Sequence, residues 1–290
     1  MEIARRRYKA SAASVLALQN PDGTWGSQFH TLSMPDRRRG LITTEQALRR
    51  LKILGYTLED EPIRRAVDCM TRCLRGERKI DGYWEKGHDW ALFTKLMLSA
   101  WVREFCPDEP LALDFAKKWA RVMERTFADG TYAAGAYREA YGREFHSPVR
   151  GGRERDFVDF YHVSLLKGML TPETEDRFLH YVMGKPEGIY YICGPVGCLP
   201  EEFASRETVR YLSGVELLSG YALAAEKLGF AADWMEENRD SSGQWDLGPK
   251  AKDGVHLPLS ESWRRKGARQ ADCTQWVGSI LARLRRKEDS

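Results

Sequence analysis

The sequence lacks the features that mark membrane-spanning, disulfide-rich and nucleic-acid-binding proteins. No apolar run approaches the ~20 residues that a membrane-spanning helix requires. The six cysteines form no C-x-x-C pair and are spread thinly along 290 residues, which favours a reduced, cytoplasmic protein over a disulfide framework. The formal net charge is only +3, from 45 basic and 42 acidic residues, and no charged tail indicates a nucleic-acid partner.

The chain does contain enough apolar residues for a large core. Hydrophobic residues make up 42% of the sequence, so one domain of this length can bury a core without covalent staples. No stretch shows the alternation that is typical of a β-strand, and no linker marks a domain boundary. We therefore predict a single all-α domain over residues 1–290.

One short pattern recurs five times: an apolar helical stretch, a turn that contains glycine, and an aromatic residue two positions after the glycine. Glycine in the left-handed conformation ends a helix, and the aromatic side chain can then fold back between helices. The glycines are separated by 48–59 residues, which is room for two helices and their loops. The five turns are Asp22-Gly23-Thr24-Trp25, Asp81-Gly82-Tyr83-Trp84, Asp129-Gly130-Thr131-Tyr132, Glu187-Gly188-Ile189-Tyr190 and Ser242-Gly243-Gln244-Trp245.

Each repeat therefore predicts one helical hairpin. The stretches predicted to be helical before the turns are 10–19, 63–74, 113–125, 173–182 and 230–237. Those predicted after the turns are 44–54, 89–105, 159–170, 207–228 and 272–285. Two longer segments, 132–156 and 246–269, are rich in glycine, proline and charge, and they are predicted to be surface excursions or lids.

The first repeat resembles a known family motif. Its spacing of Ala13, Leu16, Gln19, Asp22-Gly23 and Trp25 is similar to the glutamine-tryptophan repeat of the squalene and oxidosqualene cyclases. Related, degenerate repeats occur in the beta subunits of protein prenyltransferases. The resemblance implies an α/α toroid of about five to six hairpins, with outer helices around inner ones and a central cavity for an isoprenoid or another apolar ligand.

The catalytic motifs of that superfamily transfer poorly to this chain. Neither the D-x-D-D cluster that protonates an alkene nor the D-D-x-x-D run that holds magnesium against a diphosphate is present. Fragments of the prenyltransferase zinc site remain, because Asp159 to His162 resembles the sequence around its histidine and Asp272-Cys273 resembles a compressed Asp-x-Cys segment. The resemblance thus leaves a zinc cofactor open, with His162 as a core histidine and Cys273 as a small buried residue in the alternative interpretation.

Polar residues cluster near the starts of the second helices, where a closed ring would bring them to one rim of the cavity. Buried carboxylates there could act as general acids or bases, although an Asp at a helix start is often only an N-cap. The aromatic residues could line a pocket or simply form core. The candidate catalytic residues are Asp89, Asp159, His162 and Asp272, and the candidate ligand-binding residues are His88, Trp90, Tyr161, Arg210, Tyr211, Trp263 and Trp276.

Three function classes follow from these patterns. The first, implied by the resemblance, is a prenyltransferase- or squalene-cyclase-like protein that acts on or binds a small apolar ligand. Arginines in the excursions would suit a diphosphate group on that ligand. The second is a non-catalytic toroid that serves in binding or as a scaffold, and the third is a carbohydrate-active (α/α) barrel with paired carboxylates.

Overall fold

The chain folds into α-helices joined by turns and loops. The computed structural model describes residues 7–30, 43–80, 89–149, 156–192 and 194–285, and within these ranges it contains no β-strand, only two isolated β-bridges. The predicted all-α class is confirmed for this part of the chain. Its twelve α-helices are α1 (Lys9–Leu16), α2 (Thr44–Ile53), α3 (Glu61–Leu74), α4 (Trp90–Phe105), α5 (Pro110–Thr126), α6 (Ala134–Phe145), α7 (Phe160–Leu165), α8 (Pro172–Met183), α9 (Arg206–Leu218), α10 (Ala224–Lys227), α11 (Gly229–Glu237) and α12 (Ala268–Leu284).

The glycine turns adopt the predicted left-handed conformation. Gly23, Gly130, Gly188 and Gly243 have φ angles between 71° and 92°, and Gly82 lies outside the described residues. Left-handed backbone is unfavourable for residues with a Cβ, so glycine at these positions allows each chain reversal at little cost. Each described turn follows one of the predicted first helices: α1, α5, α8 or α11.

The tryptophans of the first and last repeats make equivalent contacts. In each case the indole N–H donates to a carbonyl ten residues earlier, and the backbone N–H donates to a threonine hydroxyl of the helix that follows. These bonds are Trp25 Nε1 to Val15 O (2.8 Å), Trp25 N to Thr44 Oγ1 (2.9 Å), Trp245 Nε1 to Met235 O (2.6 Å) and Trp245 N to Thr274 Oγ1 (3.0 Å). The aromatic residue therefore joins the two helices of its hairpin, as the repeat pattern predicts.

Each predicted stretch contains a helix, but two of them are shorter or divided. Helix α7 ends at Leu165 rather than at residue 170, and the predicted 207–228 helix is divided into α9 and α10. Glycine lies in both interruptions, at Gly168 with φ of 67° and at Gly220. Because glycine weakens a helix and readily leaves the helical region, it accounts for the early ends.

The predictions for the two long segments were wrong in part. Residues 134–145 form α6, which packs against α5 and buries Tyr137 and Tyr141. The second segment, 246–269, is almost free of helix but is not a surface excursion, because Leu247, Leu257 and Leu259 are fully buried. Its apolar residues follow no helical or strand period, so burial is not visible in its sequence.

The first and last hairpins are in contact. The Tyr8 hydroxyl lies 3.5 Å from the Ala271 carbonyl oxygen of α12. Arg50 of α2 donates to the carbonyl oxygens of His256 (3.4 Å) and Leu259 (3.1 Å). These bonds join positions more than 200 residues apart in the sequence and hold the 246–269 segment against α2.

No helix within the described ranges has the length and apolar character needed to cross a membrane.

Two of the turn glycines provide a matched test of the repeat geometry. Both Gly23 and Gly130 have positive φ, but an added Cβ would lie 2.5 Å from the Arg65 carbonyl oxygen at Gly23 and would meet no atom within 4 Å at Gly130. We expect Gly130→Ala to lower the free energy of unfolding by ~1 kcal/mol, the cost of left-handed backbone alone. Gly23→Ala should cost at least ~1–3 kcal/mol more, because the backbone of α3 must also shift.

Urea denaturation of both variants would measure this difference. Equal losses in the two variants would contradict the close approach of the first turn to α3.

Candidate functional site

Charged side chains from four helices and one loop lie close together at one set of helix ends. They come from the last turns of α2, α4, α9 and α12, and from the residues just after α7. Cations near the C-terminal ends of helices interact favourably with the helix dipoles. We call this group the charge network, and its members are Lys52, Glu104, Lys167, Glu216 and Arg283.

The charge network is built from two carboxylates that are each shared. Glu104 pairs with Lys52 and with Lys167, whose Nζ lies 3.1 Å from Glu104 Oε2, and it also accepts from the Ser164 hydroxyl (2.9 Å). Glu216 accepts from Arg283 Nη2 (2.9 Å) and from Trp276 Nε1 (2.9 Å). Glu104 therefore joins α2, α4 and the residues just after α7, while Glu216 joins α9 to α12.

Burial and pairing move the pKa values of these groups. Burial opposes the charge on Glu104 and Glu216, but neighbouring cations outweigh it and hold both carboxyl pKa values well below their ordinary range. For Glu104 these cations are Lys167 and Lys52, and for Glu216 the main one is Arg283. Burial lowers the pKa of Lys167 to about 8, because the pull of Glu104 does not fully offset desolvation and the repulsion from Lys52.

His256 lies beside the charge network and is held by the carboxylate of Asp253, which is not part of the network. Its Nδ1 lies 2.8 Å from Asp253 Oδ2, and its ring stacks on Trp276 with 4.9 Å between the ring centroids. Ser213 Oγ lies 3.3 Å from the same Nδ1. In a Ser-His-Asp triad the serine and the aspartate contact different ring nitrogens. Since both contact Nδ1 here, this arrangement is not that of a serine hydrolase.

Aromatic rings gather near the opposite ends of the second helices, at the N-terminal ends of α2, α4 and α7. His30 lies beside the start of α2, because the backbone amide of Glu45 donates to the carbonyl oxygen of Phe29, the residue before His30 (3.1 Å). We call this group the aromatic cluster, and its members are His30, Trp90, Phe93, Tyr161, Tyr190 and Tyr191.

The rings of the aromatic cluster make edge and tilted contacts. Ring centroids lie 5.5 Å apart for Trp90 and Phe93, 5.6 Å for Phe93 and Tyr161, and 5.3 Å for Tyr161 and Tyr191. Tyr161 is buried, whereas Trp90, Phe93 and Tyr191 are only half-buried. The cluster therefore presents aromatic surface that the described residues do not fully cover.

A buried carboxylate lies behind the aromatic cluster. Glu45 of α2 is 3% exposed and accepts from the Tyr161 hydroxyl (2.9 Å) and from Trp101 Nε1 (3.3 Å). Arg49 lies 3.7 Å from the same carboxylate and 4.3 Å from the centre of the Phe160 ring. Burial, together with the charge of Glu45, raises the pKa of the Tyr161 hydroxyl well above its ordinary value, so this phenol stays a hydrogen-bond donor.

Tyr191 has an unusual backbone conformation. Its φ angle is 74°, and among the described residues the only other non-glycine residue with positive φ is His146, at the end of α6. Left-handed backbone costs a residue with a Cβ roughly 1–2 kcal/mol. Such strain is common where a side chain is held in place for binding or catalysis. Here it directs the Tyr191 ring against His30, with the centroids 5.2 Å apart.

Asp89 and Asp159 both occupy helix N-terminal positions. Asp89 accepts from the Leu92 amide (3.0 Å) and caps α4. Asp159 accepts from the amides of Tyr161 (2.9 Å) and His162 (3.0 Å) and caps α7, while its second oxygen lies 2.7 Å from His162 Nδ1. These contacts account for both carboxylates structurally, and a catalytic role for either remains a prediction.

His162 faces α5 rather than the aromatic cluster. Its ring lies edge-on to Trp119 with 4.2 Å between the centroids. Its Nε2 is buried and has no hydrogen-bond partner among the described residues. His162, held by Asp159, therefore connects α7 to α5.

Asp272 holds the 246–269 segment. Helix α12 begins at Ala268, four residues before Asp272, so Asp272 does not cap it. Its Oδ2 accepts from the Ser260 amide (2.9 Å), the Ser260 hydroxyl (2.7 Å) and Trp263 Nε1 (2.8 Å). Next to it, Cys273 is fully buried, and burial raises the pKa of its thiol to about 12.

The predicted ligand-binding residues are brought together only in part. Trp90 and Tyr161 belong to the aromatic cluster, and Trp276 contacts the charge network. Tyr211 packs against Trp234, Trp263 bonds to Asp272, Arg210 is exposed, and His88 lies outside the described residues. Sequence reasoning missed His30, Phe93 and Tyr191, although Tyr191 directly follows Tyr190, the aromatic residue of the fourth glycine turn.

Within the described ranges no group of three or more His, Cys, Asp or Glu side chains is arranged to hold a metal ion. The two fragments that resemble a zinc site have separate partners, since Asp159 and His162 face α5 and Asp272 and Cys273 contact the 246–269 segment.

Comparison with known proteins gives no relative for this chain: no protein-family model matches it, and neither a curated protein nor a solved structure gives a significant match.

The charge network predicts a specific pH dependence of stability. The folded-state pKa of Glu104 lies below the unfolded-state value of about 4.3. Its contribution is therefore fully present above about pH 5 and is lost as the pH falls through the folded-state pKa. We expect Glu104→Gln to lower the free energy of unfolding by about 3 kcal/mol at pH 7, and by less near pH 3, where the carboxyl of the unfolded state is already protonated.

Denaturant titrations of wild type and variant across this pH range would measure the change. Glu139→Gln is the matched control, because Glu139 pairs with Arg143 on the surface and should contribute little at either pH. A loss in Glu104→Gln that does not depend on pH would refute the proposed pairing.

Proposed function

We propose that this protein is an α/α toroid that binds an apolar, isoprenoid-like ligand between its second helices. Support for the ring comes from the charge network, to which α2, α4, α9 and α12 and the residues after α7 each contribute one side chain. Helices whose C-terminal ends contribute to the same network point in the same direction around it. The contacts of Tyr8 and Arg50 with the last part of the chain support closure of the first hairpin against the last.

The observation that carries the ligand proposal is the aromatic cluster. Its half-buried rings come from the N-terminal end of α4 and from the turn after α8, and they pack against the buried rings of His30 and Tyr161. Apolar and aromatic surface with a few polar groups behind it is typical of small-molecule sites. Glu45 and the Tyr161 hydroxyl supply those polar groups, and they are already bonded to each other.

An uncharged ligand head suits this site better than a diphosphate. Helix N-termini attract anions through their free amides and their dipoles. At α4 and α7, however, the carboxylates of Asp89 and Asp159 already accept from those amides. A diphosphate would be repelled by both carboxylates, so a prenyl alcohol or hydrocarbon is favoured.

Binding is also favoured over acid–base catalysis. Asp89, Asp159 and Asp272 each accept two or more hydrogen bonds or complete a helix cap within the fold. A general acid must present its proton to the substrate, and the present contacts direct these carboxylates to backbone amides and neighbouring side chains. A carrier or sensor of an apolar molecule therefore fits the contacts better than a cyclase.

Fluorescence titration with dansyl-labelled farnesol would test this function. We expect Trp90→Ala to weaken binding by about tenfold or more, since loss of a contacting aromatic ring costs about 1.4 kcal/mol or more in binding. Trp90→Phe should retain most of the affinity. The matched control is Trp234→Ala, because Trp234 is also half-buried but packs against Phe203 and Tyr211 instead.

Two results would contradict the proposal. One is equal affinity in wild type and Trp90→Ala, and the other is tighter binding of the dansyl-labelled diphosphate than of the alcohol, which would overturn the choice of an uncharged head.

A further inference from the structure

Lys167 is held in a fixed position within the charge network. Its side chain is 19% exposed, against 35% for Lys52, and its only ion-pair partner among the described residues is Glu104. The aliphatic part packs on Gly220, where an added Cβ would come within 2.9 Å of Lys167 Cδ. The side chain is thus partly exposed but restricted in its motion.

The charge network contains one more cation than it can neutralise. Lys52, Lys167 and Arg283 face only two carboxylates, Glu104 and Glu216. Nearby, His256 is paired with Asp253, and the charge of Arg103 is offset by that of Asp108, so neither changes this count. Loss of one proton would balance the group.

Lys167 is the group that most readily loses that proton. Arginine stays protonated in proteins, so Arg283 keeps its charge. Lys52 is more exposed than Lys167, and water stabilises its charge. Two ammonium groups that share one carboxylate also repel each other, which lowers the pKa of the less hydrated one. The pKa of Lys167, lowered to about 8 mainly by burial, agrees with this reasoning.

We propose that Lys167 is a nucleophilic lysine that captures small, uncharged aldehydes or ketones as a Schiff base. The amine lone pair attacks the carbonyl carbon, a C–N bond forms, and the carbonyl oxygen takes up a proton. Water then leaves, so that amine and carbonyl compound become an imine and one water molecule. Solvent accepts the proton that Lys167 releases before attack, and Glu104, which stays ionised, holds the amine in place through their hydrogen bond.

The charge count also favours an uncharged carbonyl compound. Once Lys167 is neutral, Lys52 and Arg283 are balanced by Glu104 and Glu216, and no surplus charge remains to attract an ion. This site lies at the helix ends opposite to the aromatic cluster, and its chemistry does not depend on the isoprenoid-binding proposal.

Reductive trapping would test the proposal on the folded full-length chain. Propionaldehyde and sodium cyanoborohydride convert any imine to a stable secondary amine, and peptide mass spectrometry then locates and quantifies each labelled lysine. At pH 7.5 a lysine with a pKa near 8 has on the order of 100-fold more free amine than an ordinary lysine. We expect Lys167 to be labelled at least ~10-fold faster than Lys117, an exposed lysine of α5.

The pH profile of the wild-type protein separates this mechanism from simple exposure. Labelling of Lys167 should level off above about pH 8, whereas labelling of Lys117 should continue to rise towards pH 10. Lys52→Met should slow labelling of Lys167 at pH 7.5 several-fold, because removal of the neighbouring cation raises the pKa of Lys167. Circular dichroism would verify the fold of this variant.

Labelling of Lys167 no faster than that of Lys117, or a profile that rises in parallel with it, would overturn the proposal. So would faster labelling of Lys167 in Lys52→Met.

Discussion

The orientation of the helices that follow the glycine turns depends on the ion pairs at their C-terminal ends. Lys52, Glu104, Lys167, Glu216 and Arg283 come from five different parts of the chain, and removal of either carboxylate would leave its cations without compensation in a partly desolvated place. A hydrophobic contact at this point would tolerate small rotations of each helix. Shared carboxylates do not, because hydrogen bonds weaken steeply when distance and angle change. The network thereby sets the rotation of each second helix, and with it the side chains presented at the other end.

That rotation positions the aromatic cluster. Lys52 and Glu45 lie two turns apart on α2, so the contact of Lys52 with Glu104 also fixes the side on which Glu45 meets Tyr161. On α4, Phe93 and Glu104 are three turns apart and are related in the same way. The two ends of these helices therefore differ in chemistry, with ionised groups at one end and aromatic surface at the other, but both are positioned by the same helices.

The repeat was the part of the fold that the sequence revealed best. Glycines with positive φ and a tryptophan clasp are local features, so their chemistry is visible within a few residues, and the helices before and after them were located. Helix α6 was missed because Gly135, Gly142 and several charged residues hide its apolar face.

The charge network was missed for a different reason. Its members are polar residues in amphipathic helices, and only the packed arrangement shows that their side of each helix faces other helices. The choice of Asp89 and Asp159 followed correctly from their positions at helix starts, but the sequence could not show that amides already satisfy them. For Asp272 the helix start itself was misplaced by four residues.

Arg50 has a consequence for the order in which the chain acquires structure. Its guanidinium binds carbonyl oxygens of His256 and Leu259, so the buried 246–269 segment gains these partners only after more than 200 intervening residues have been made. Until then, the guanidinium and the apolar face of α2 lack their contacts with the 246–269 segment. Contacts between such distant positions slow folding, because the entropy of closing a long loop is lost before they form. During synthesis on the ribosome, the early hairpins must therefore persist with an incomplete interior, and the last hairpin completes the core.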